Sequence, residues 1–198
     1  ENRLTAVEPQ YPEAGSRKVT FAYDYLGRRI QTQVFTHNGE SWNQQPVESR
    51  RFVYDGWNLI QESLDADHRQ TDRYFIWGLD LSQSLQGAGG IGGLLCAVNG
   101  ESADYYAYDA NGNVGQLVDA QTGAISAHYE YDPFGILISI TGDESNHNPH
   151  RFSTKYHDDE TGLYYYGQRY YHPGLGRWMN RDPIAILLHK SDYLNLYR

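Results

Sequence analysis

The stretch AYDANGNVGQLVD, residues 107–119, places two β-prone segments on either side of an Asn-Gly pair. Asn-Gly is a strong signal for a tight hairpin turn, because both residues tolerate the left-handed backbone that such turns need. Tyr108 and Asp109 precede the turn, and we expect Gly112 within it to have a positive φ. The stretch therefore predicts a β-hairpin whose first strand ends in Tyr-Asp.

Three further stretches repeat this order of strand, Tyr-Asp pair, turn and second strand. They are AYDYLGRRI at residues 22–30, VYDGWNLI at 53–60 and EYDPFGIL at 130–137. Each aspartate follows its strand where a short carboxylate can accept backbone N–H bonds from the turn. We therefore assign a structural role to Tyr23, Asp24, Tyr54, Asp55, Tyr108, Asp109, Gly112, Tyr131, Asp132 and Gly135. RYFIWGLDL at residues 73–81 has the strand and the glycine of this pattern, but not the aspartate.

The composition favours strands over helices. Among 198 residues there are 18 tyrosines and 20 glycines, and tyrosine suits a pleated surface with its hydroxyl at the water edge. No stretch has a convincing helical pattern. The sequence therefore predicts an all-β chain of consecutive antiparallel hairpins that is incomplete as a closed structure, and we expect its open edges to promote self-association.

Charge and cysteine content exclude several classes of function. The net charge is −9, with 16 Lys and Arg against 25 Asp and Glu, so no basic stripe is present and nucleic acid is not an expected partner. No apolar run approaches the roughly 18 residues that a membrane span needs. The single cysteine, Cys96, lies among apolar residues, which favours a small core residue over a nucleophile.

Two short motifs suggest ligand sites, and both have a structural alternative. GAGGIG at residues 87–92 satisfies the dinucleotide-binding pattern, but only a strand-length apolar run follows it, so we expect a flexible linker between two strands. HDDETG at residues 157–162 gathers three carboxylates and an imidazole, yet neighbouring strand residues face opposite ways. We expect a solvated hairpin turn there, and His147, His150 and His157 as surface residues with no metal.

Four segments together resemble the YD-repeat or Rhs-repeat proteins that carry an Rhs-associated core domain. They are YDANGNV, YDPFG, YFIWGLDLSQSLQGAGGIGGLL and GLYYYGQRYYHPGLGRWMNRDPI, and the resemblance runs roughly over residues 23–184. The core signature is carried by Tyr164, Tyr165, Tyr166, Arg169, Tyr170, Tyr171, Pro173, Gly176, Arg177, Trp178, Arg181, Asp182 and Pro183. The resemblance implies that the hairpins form part of a YD-repeat shell and that the signature turns inward to plug one end.

The same resemblance implies the domain organisation and the function. Residues 1–198 are expected to be one partial YD-repeat/Rhs-core region of a longer bacterial protein, with hairpin repeats in 1–150, the core signature in 151–184 and a divergent tail in 185–198. We expect a secreted or cell-surface structural shell segment that encapsulates and delivers a C-terminal toxin. Its expected partners are upstream repeats of the same polypeptide and the enclosed toxin, without a cofactor.

The resemblance also bears on catalysis. In Rhs and toxin-complex members the core often ends in an aspartyl self-cleavage site, and Asp182-Pro183 matches its first motif. The second motif and the glycine-rich continuation do not follow, so Asp182 is a candidate but the chain is not expected to be an enzyme. The alternative function is cell-surface adhesion or carbohydrate binding, with a glycan or a surface receptor as partner, because Trp42, Trp57, Trp77 and Trp178 suit sugar stacking.

Overall fold

The computed structural model describes residues 3–183. Within this range the regular structure is β-strand, with two short 3-10 turns at Phe152–Thr154 and Pro173–Leu175 and no α-helix. The strands are β1 (Ala6–Val7), β2 (Arg17–Tyr23), β3 (Arg29–Thr36), β4 (Glu48–Asp55), β5 (Asn58–Ala66), β6 (Arg69–Trp77), β7 (Leu94–Asn99), β8 (Ser102–Tyr108), β9 (Val114–Asp119), β10 (Ile125–Tyr131), β11 (Leu137–Thr141), β12 (Tyr156–Asp158), β13 (Leu163–Tyr165), β14 (Tyr170–His172) and β15 (Arg177–Trp178).

The strands form two antiparallel sheets. The first contains eleven strands in chain order, β1 to β11, and the second contains four, β12 to β15. Within the described residues, β1 and β11 each pair on one side only, so the large sheet is open at both edges. The prediction of an all-β chain of consecutive hairpins that does not close on itself is therefore confirmed.

The Tyr-Asp turns are held largely as expected. The Asp109 carboxylate accepts the backbone N–H groups of Asn111 and Asn113 at 2.9 Å, and Gly112 has φ +75°. Asp24 and Asp132 accept equivalent bonds from their turns. Asp55 differs, because it pairs directly with Asn58 in the ladder and leaves a turn of only two residues.

The repeated aromatic residue lies next to a β-bulge in each hairpin. The register shifts immediately before Tyr23, Tyr54, Trp77, Tyr108 and Tyr131. A bulge re-aims the side chain that follows it. Each of these five residues, which we call the bulge aromatics, donates a hydrogen bond to a backbone carbonyl earlier in the chain: Leu4, Arg29, Leu59, Leu94 and Val114, respectively.

The stretch RYFIWGLDL matches the repeat more fully than the sequence indicated. The indole Nε1 of Trp77 donates to the Leu59 carbonyl at 2.6 Å, as the tyrosines do in the other hairpins. The missing aspartate is also present, displaced to Asp80, whose carboxylate accepts the backbone N–H of Ser82 at 2.9 Å. The stretch is therefore a fifth copy of the repeat, in which Trp replaces Tyr and the aspartate follows three residues later.

The small sheet packs on one face of the large sheet. Their shared core joins Phe52, Leu59, Phe75 and Leu94 of the large sheet to Tyr156, Leu163, Tyr165 and Tyr170 of the small one. A second buried cluster, around Val114 and Leu117, is formed by side chains of β8 to β11. A third, around Val19 and Val34, lies between β2 and β3 and the start of the chain. Cys96 is buried, as expected. The core signature thus covers the hairpins instead of extending their sheet.

Candidate functional site

A buried arginine occupies the centre of the contact between the two sheets. Arg29 begins β3 and is fully buried, and its guanidinium Nη1 donates to the Asp158 carboxylate of β12 at 2.5 Å. Aromatic rings surround the guanidinium at 4.6–6.0 Å from its central carbon: Phe21, Phe52, Tyr156, Tyr165 and Tyr170. We call this group the Arg29 cage. It fastens the core signature to three strands of the large sheet.

The electrostatics of the Arg29 cage favour the ionised pair. Burial opposes the charge on Arg29, but the Asp158 carboxylate together with the hydroxyl groups of Tyr170 and Tyr54 outweighs it, so the pKa of Arg29 lies well above its ordinary value. Burial also raises the pKa of Asp158, and the attraction of Arg29 limits that rise. Two such charges survive without water only when each has its partner. The pair therefore fixes the position of the small sheet on the large one. Replacing either member leaves the other charge buried without a partner.

A second charged cluster lies beside the cage. Arg50 of β4 contacts the carboxylates of Glu48, of Glu62 at 3.3 Å and of Glu160 at 2.8 Å. The Tyr156 hydroxyl donates to Glu62 at 2.6 Å. Asp158 and Glu160 belong to the HDDETG segment, which was expected to be a solvated turn. The segment does form a hairpin turn, but that expectation is wrong for these two side chains, because arginines of the large sheet cover them.

The remaining signature residues pack within the small sheet and against one repeat turn. Tyr164 and Tyr171 donate to the carbonyls of Gly135 and Phe134, in the turn of the EYDPFGIL repeat. The Arg169 guanidinium lies 4.0 Å from the Trp178 ring centroid and pairs with Asp182 at 3.1 Å. Tyr166 contacts the same indole. Pro173 begins a 3-10 turn that Gly176 ends. The last signature residues, Arg177, Arg181 and Pro183, follow near the end of the described range.

The glycine-rich segment surrounds a side-chain carboxylate. Residues 87–93 form turns between β6 and β7, without the helix that a dinucleotide site requires. The Asp80 carboxylate is buried and accepts the N–H groups of Ala88 at 2.7 Å and Gly90 at 3.1 Å. Hydrogen bonds outweigh burial there and lower the pKa of Asp80 to about 2. The amides are therefore used internally, and the expected flexible linker is instead packed around this aspartate.

His150 was expected at the surface and is buried. It is 3% exposed and packs edge-on against Phe75, Trp77 and Tyr156, with ring centroids 4.7–5.7 Å away. Burial, with smaller contributions from the positive charges of Arg73 and Lys155, lowers its pKa to about 3. The imidazole is therefore neutral near pH 7. Pro149 made the segment look like a surface loop, and no local signal in the sequence revealed the aromatic surroundings.

The other proposed sites are not assembled in the structure. The four tryptophans do not form one surface: Trp42 lies against His37 and Trp178 lies inside the small sheet, whereas Trp57 and Trp77 line a common cavity. Among residues 3–183, no group of three His, Cys, Asp or Glu side chains is placed to hold a metal ion. In the same part of the chain, no helix is long and apolar enough to cross a membrane. The tail 185–198 lies outside the described residues.

Comparison with known proteins gives sequence and structural relatives. The chain is 33% identical over 186 residues to the tRNA3(Ser)-specific nuclease WapA of Bacillus spizizenii, which covers 92% of this chain and 7% of WapA. It is also 58% identical over 40 residues to toxin subunit YenC2 of Yersinia entomophaga, and this match covers 20% of the chain and 4% of YenC2. Among solved structures, the crystal structure of TcdB2-TccC3 superimposes on the chain with a TM-score of 0.68 and 22% sequence identity. The match covers 98% of this chain and 9% of the TcdB2-TccC3 chain. No family model matches.

These relatives correct one expectation and support another. The interpretation of the protein as a non-enzyme is wrong, because a relative that matches 92% of the chain is named a nuclease. The chain spans only a small part of that relative. The resemblance stated above is supported at the level of fold, since the large open sheet and its cover match TcdB2-TccC3. The chain is therefore Rhs/YD-repeat-like in fold and similar in sequence to a nuclease and to a toxin subunit.

Proposed function

We propose that residues 3–183 form a wall segment of a toxin-related shell that encloses and delivers a C-terminal toxin. One observation carries the proposal: the core signature folds back onto one face of an open eleven-stranded sheet and is fixed there by the Arg29 cage. A sheet with two open edges is suited to continuation by further hairpins. The proposed partners are accordingly other repeats of the same polypeptide and the toxin that they surround.

The nuclease name of WapA supports a further part of this proposal. We infer that the protein to which these hairpins belong has an enzymatic toxin activity, with nucleic acid as the substrate class. The wall would keep that activity away from the producing cell, and the protein would be delivered to the outside. Asp182 remains our proposed residue for release of the toxin by self-cleavage; its carboxylate is held by Arg169 at 3.1 Å.

Protease protection tests the enclosure. The protein encoded by the complete reading frame is purified and treated with a protease, and the survival of the region after residue 198 is followed over time. We expect that region to be protected in the parent and to be cleaved at least tenfold faster in Asp158→Asn, because the neutral amide leaves Arg29 buried without a charge partner.

Arg28→Met provides the matched control. Arg28 neighbours Arg29 in the chain, but it pairs with Asp24 and donates to the Gly56 carbonyl, both in repeat turns outside the core signature, so its loss should leave protection unchanged. Equal cleavage rates in the parent and in Asp158→Asn would contradict the enclosure role. A nuclease assay on the same preparations, using transfer RNA, tests the enzymatic part separately.

A further inference from the structure

A small aromatic cavity lies where the repeats, the glycine-rich segment and the core signature meet. Its volume is about 150 Å³, the size that holds one benzene ring in a protein interior. Distant parts of the chain meet in its lining: Trp57 and Trp77 belong to repeats, and Tyr166 belongs to the signature. Its further lining includes Tyr54, Tyr165, Asn58, Gln168, His150 and Lys155. We call it the Lys155 cavity.

Lys155 contributes a cation to this cavity without a carboxylate partner. Its Nζ donates to the Gly89 carbonyl at 2.5 Å and lies 5.5 Å from the Tyr166 ring centroid. No ion pair joins Lys155 to a carboxylate anywhere in residues 3–183. Asp80 is the acidic group that acts on it electrostatically, but backbone amides already occupy that carboxylate. A partly desolvated ammonium in this position is suited to a carboxylate from outside.

We propose that the Lys155 cavity binds a single aromatic ring that carries a carboxylate. The ring packs against the indoles and phenols, and the carboxylate pairs with Lys155. A free arylacetic acid and a peptide that ends in tyrosine present the same chemistry. One cation and space for one ring exclude a nucleotide, which needs several phosphate contacts and more volume. This inference does not depend on the shell function.

Saturation-transfer NMR on the 198-residue chain tests the proposal, because it observes the ligand and tolerates association of the protein. The ligands are 4-hydroxyphenylacetate, phenylacetate and 4-hydroxyphenylacetamide, together with the peptide Gly-Gly-Tyr in its acid and amide forms. We expect saturation of 4-hydroxyphenylacetate and of phenylacetate, and at least tenfold weaker binding of 4-hydroxyphenylacetamide. Binding of the free acid alone assigns a small molecule as the ligand, whereas binding of the peptide acid as well assigns a chain terminus.

Variants separate this cavity from general binding to aromatic surfaces. Lys155→Met should weaken the binding of 4-hydroxyphenylacetate at least tenfold. Lys18→Met is the matched control, because Lys18 also lies over aromatic rings but neither it nor those rings line the cavity. Trp57→Ala, at a residue 40% exposed, provides a second test that leaves the core in place. Equal binding of acid and amide, or unchanged binding in folded Lys155→Met, overturns the proposal.

Discussion

The hydroxyl group of Tyr54, at the end of β4, donates a hydrogen bond to the backbone carbonyl of Arg29 at 2.9 Å. This bond links a repeat tyrosine to the residue whose side chain fixes the core signature. The same kind of bond occurs at all five bulge aromatics. The tyrosine of the repeat therefore has a specific role in tying one hairpin to the chain before it.

Removing that hydroxyl tests its contribution. We expect Tyr54→Phe to lower the free energy of unfolding by about 1 to 3 kcal/mol, because it removes the hydrogen bond to the backbone carbonyl of the buried Arg29. Urea unfolding monitored by circular dichroism measures the change. Tyr25→Phe is the control, since Tyr25 is 89% exposed and should change the stability by no more than about 0.5 kcal/mol. Equal effects of the two substitutions would contradict the proposed bond.

The ion pair of the Arg29 cage is expected to dominate the stability of the contact. Asp158→Asn should cost about 3 to 5 kcal/mol, because the guanidinium stays buried without its counter-charge. Arg29→Met combined with Asp158→Leu should recover much of the loss, since apolar groups of similar volume replace both charges. Chemical denaturation of both variants gives the comparison. A double variant no more stable than Asp158→Asn would show that the pair contributes more than matched charge.

His150 should make the protein sensitive to acid. Its pKa is lowered to about 3 in the folded state, so below about pH 6.5 the unfolded chain binds a proton that the folded chain does not. Stability therefore falls as pH falls, by about 2 to 3 kcal/mol between pH 7 and pH 4.5 from this residue alone. Parallel urea titrations of the parent and His150→Phe should show that the variant lacks this component. An identical pH dependence in both would refute the assignment.

Gly112 allows backbone strain to be separated from crowding. Gly112 and Gly123 have φ values of +75° and +71°, but an added Cβ lies 2.5 Å from Ile91 at Gly112 and meets nothing within 4 Å at Gly123. Gly123→Ala should therefore cost about 1 kcal/mol from backbone strain alone. Gly112→Ala should cost about 1 to 3 kcal/mol more, because Ile91 must move. Thermal melts that show equal losses of stability in Gly112→Ala and Gly123→Ala would contradict the contribution of crowding by Ile91.

The open edge at β11 is expected to promote association. Ile138 is 66% exposed on that strand, which pairs with β10 on one side and has no partner strand on its other side among the described residues. Light scattering of the 198-residue chain should rise with concentration, and Ile138→Lys should reduce the rise. Leu175→Lys adds the same charge at an exposed leucine outside the sheet and should have little effect. A monodisperse parent would contradict the expectation.

The sequence predicted the hairpins well because their signals are local. Turn glycines and the strand pattern around Asn111 or Pro133 involve neighbours along the chain, and these fix both the turn and the register. The cage could not be predicted in this way. Arg29 and Asp158 are 129 positions apart, and each resembles an ordinary surface charge. Their burial depends on rings supplied by four other strands, which no pattern around either residue shows.

The five bulge-aromatic bonds all have the same direction along the polypeptide. In every case the carbonyl that accepts the bond precedes the aromatic residue that donates it. During synthesis from the amino terminus, each acceptor has therefore already left the ribosome when its donor appears. Hairpins can be added one after another onto finished neighbours without waiting for later sequence. The signature, which returns to Arg29, has to find a distant target, and it emerges after that target is complete.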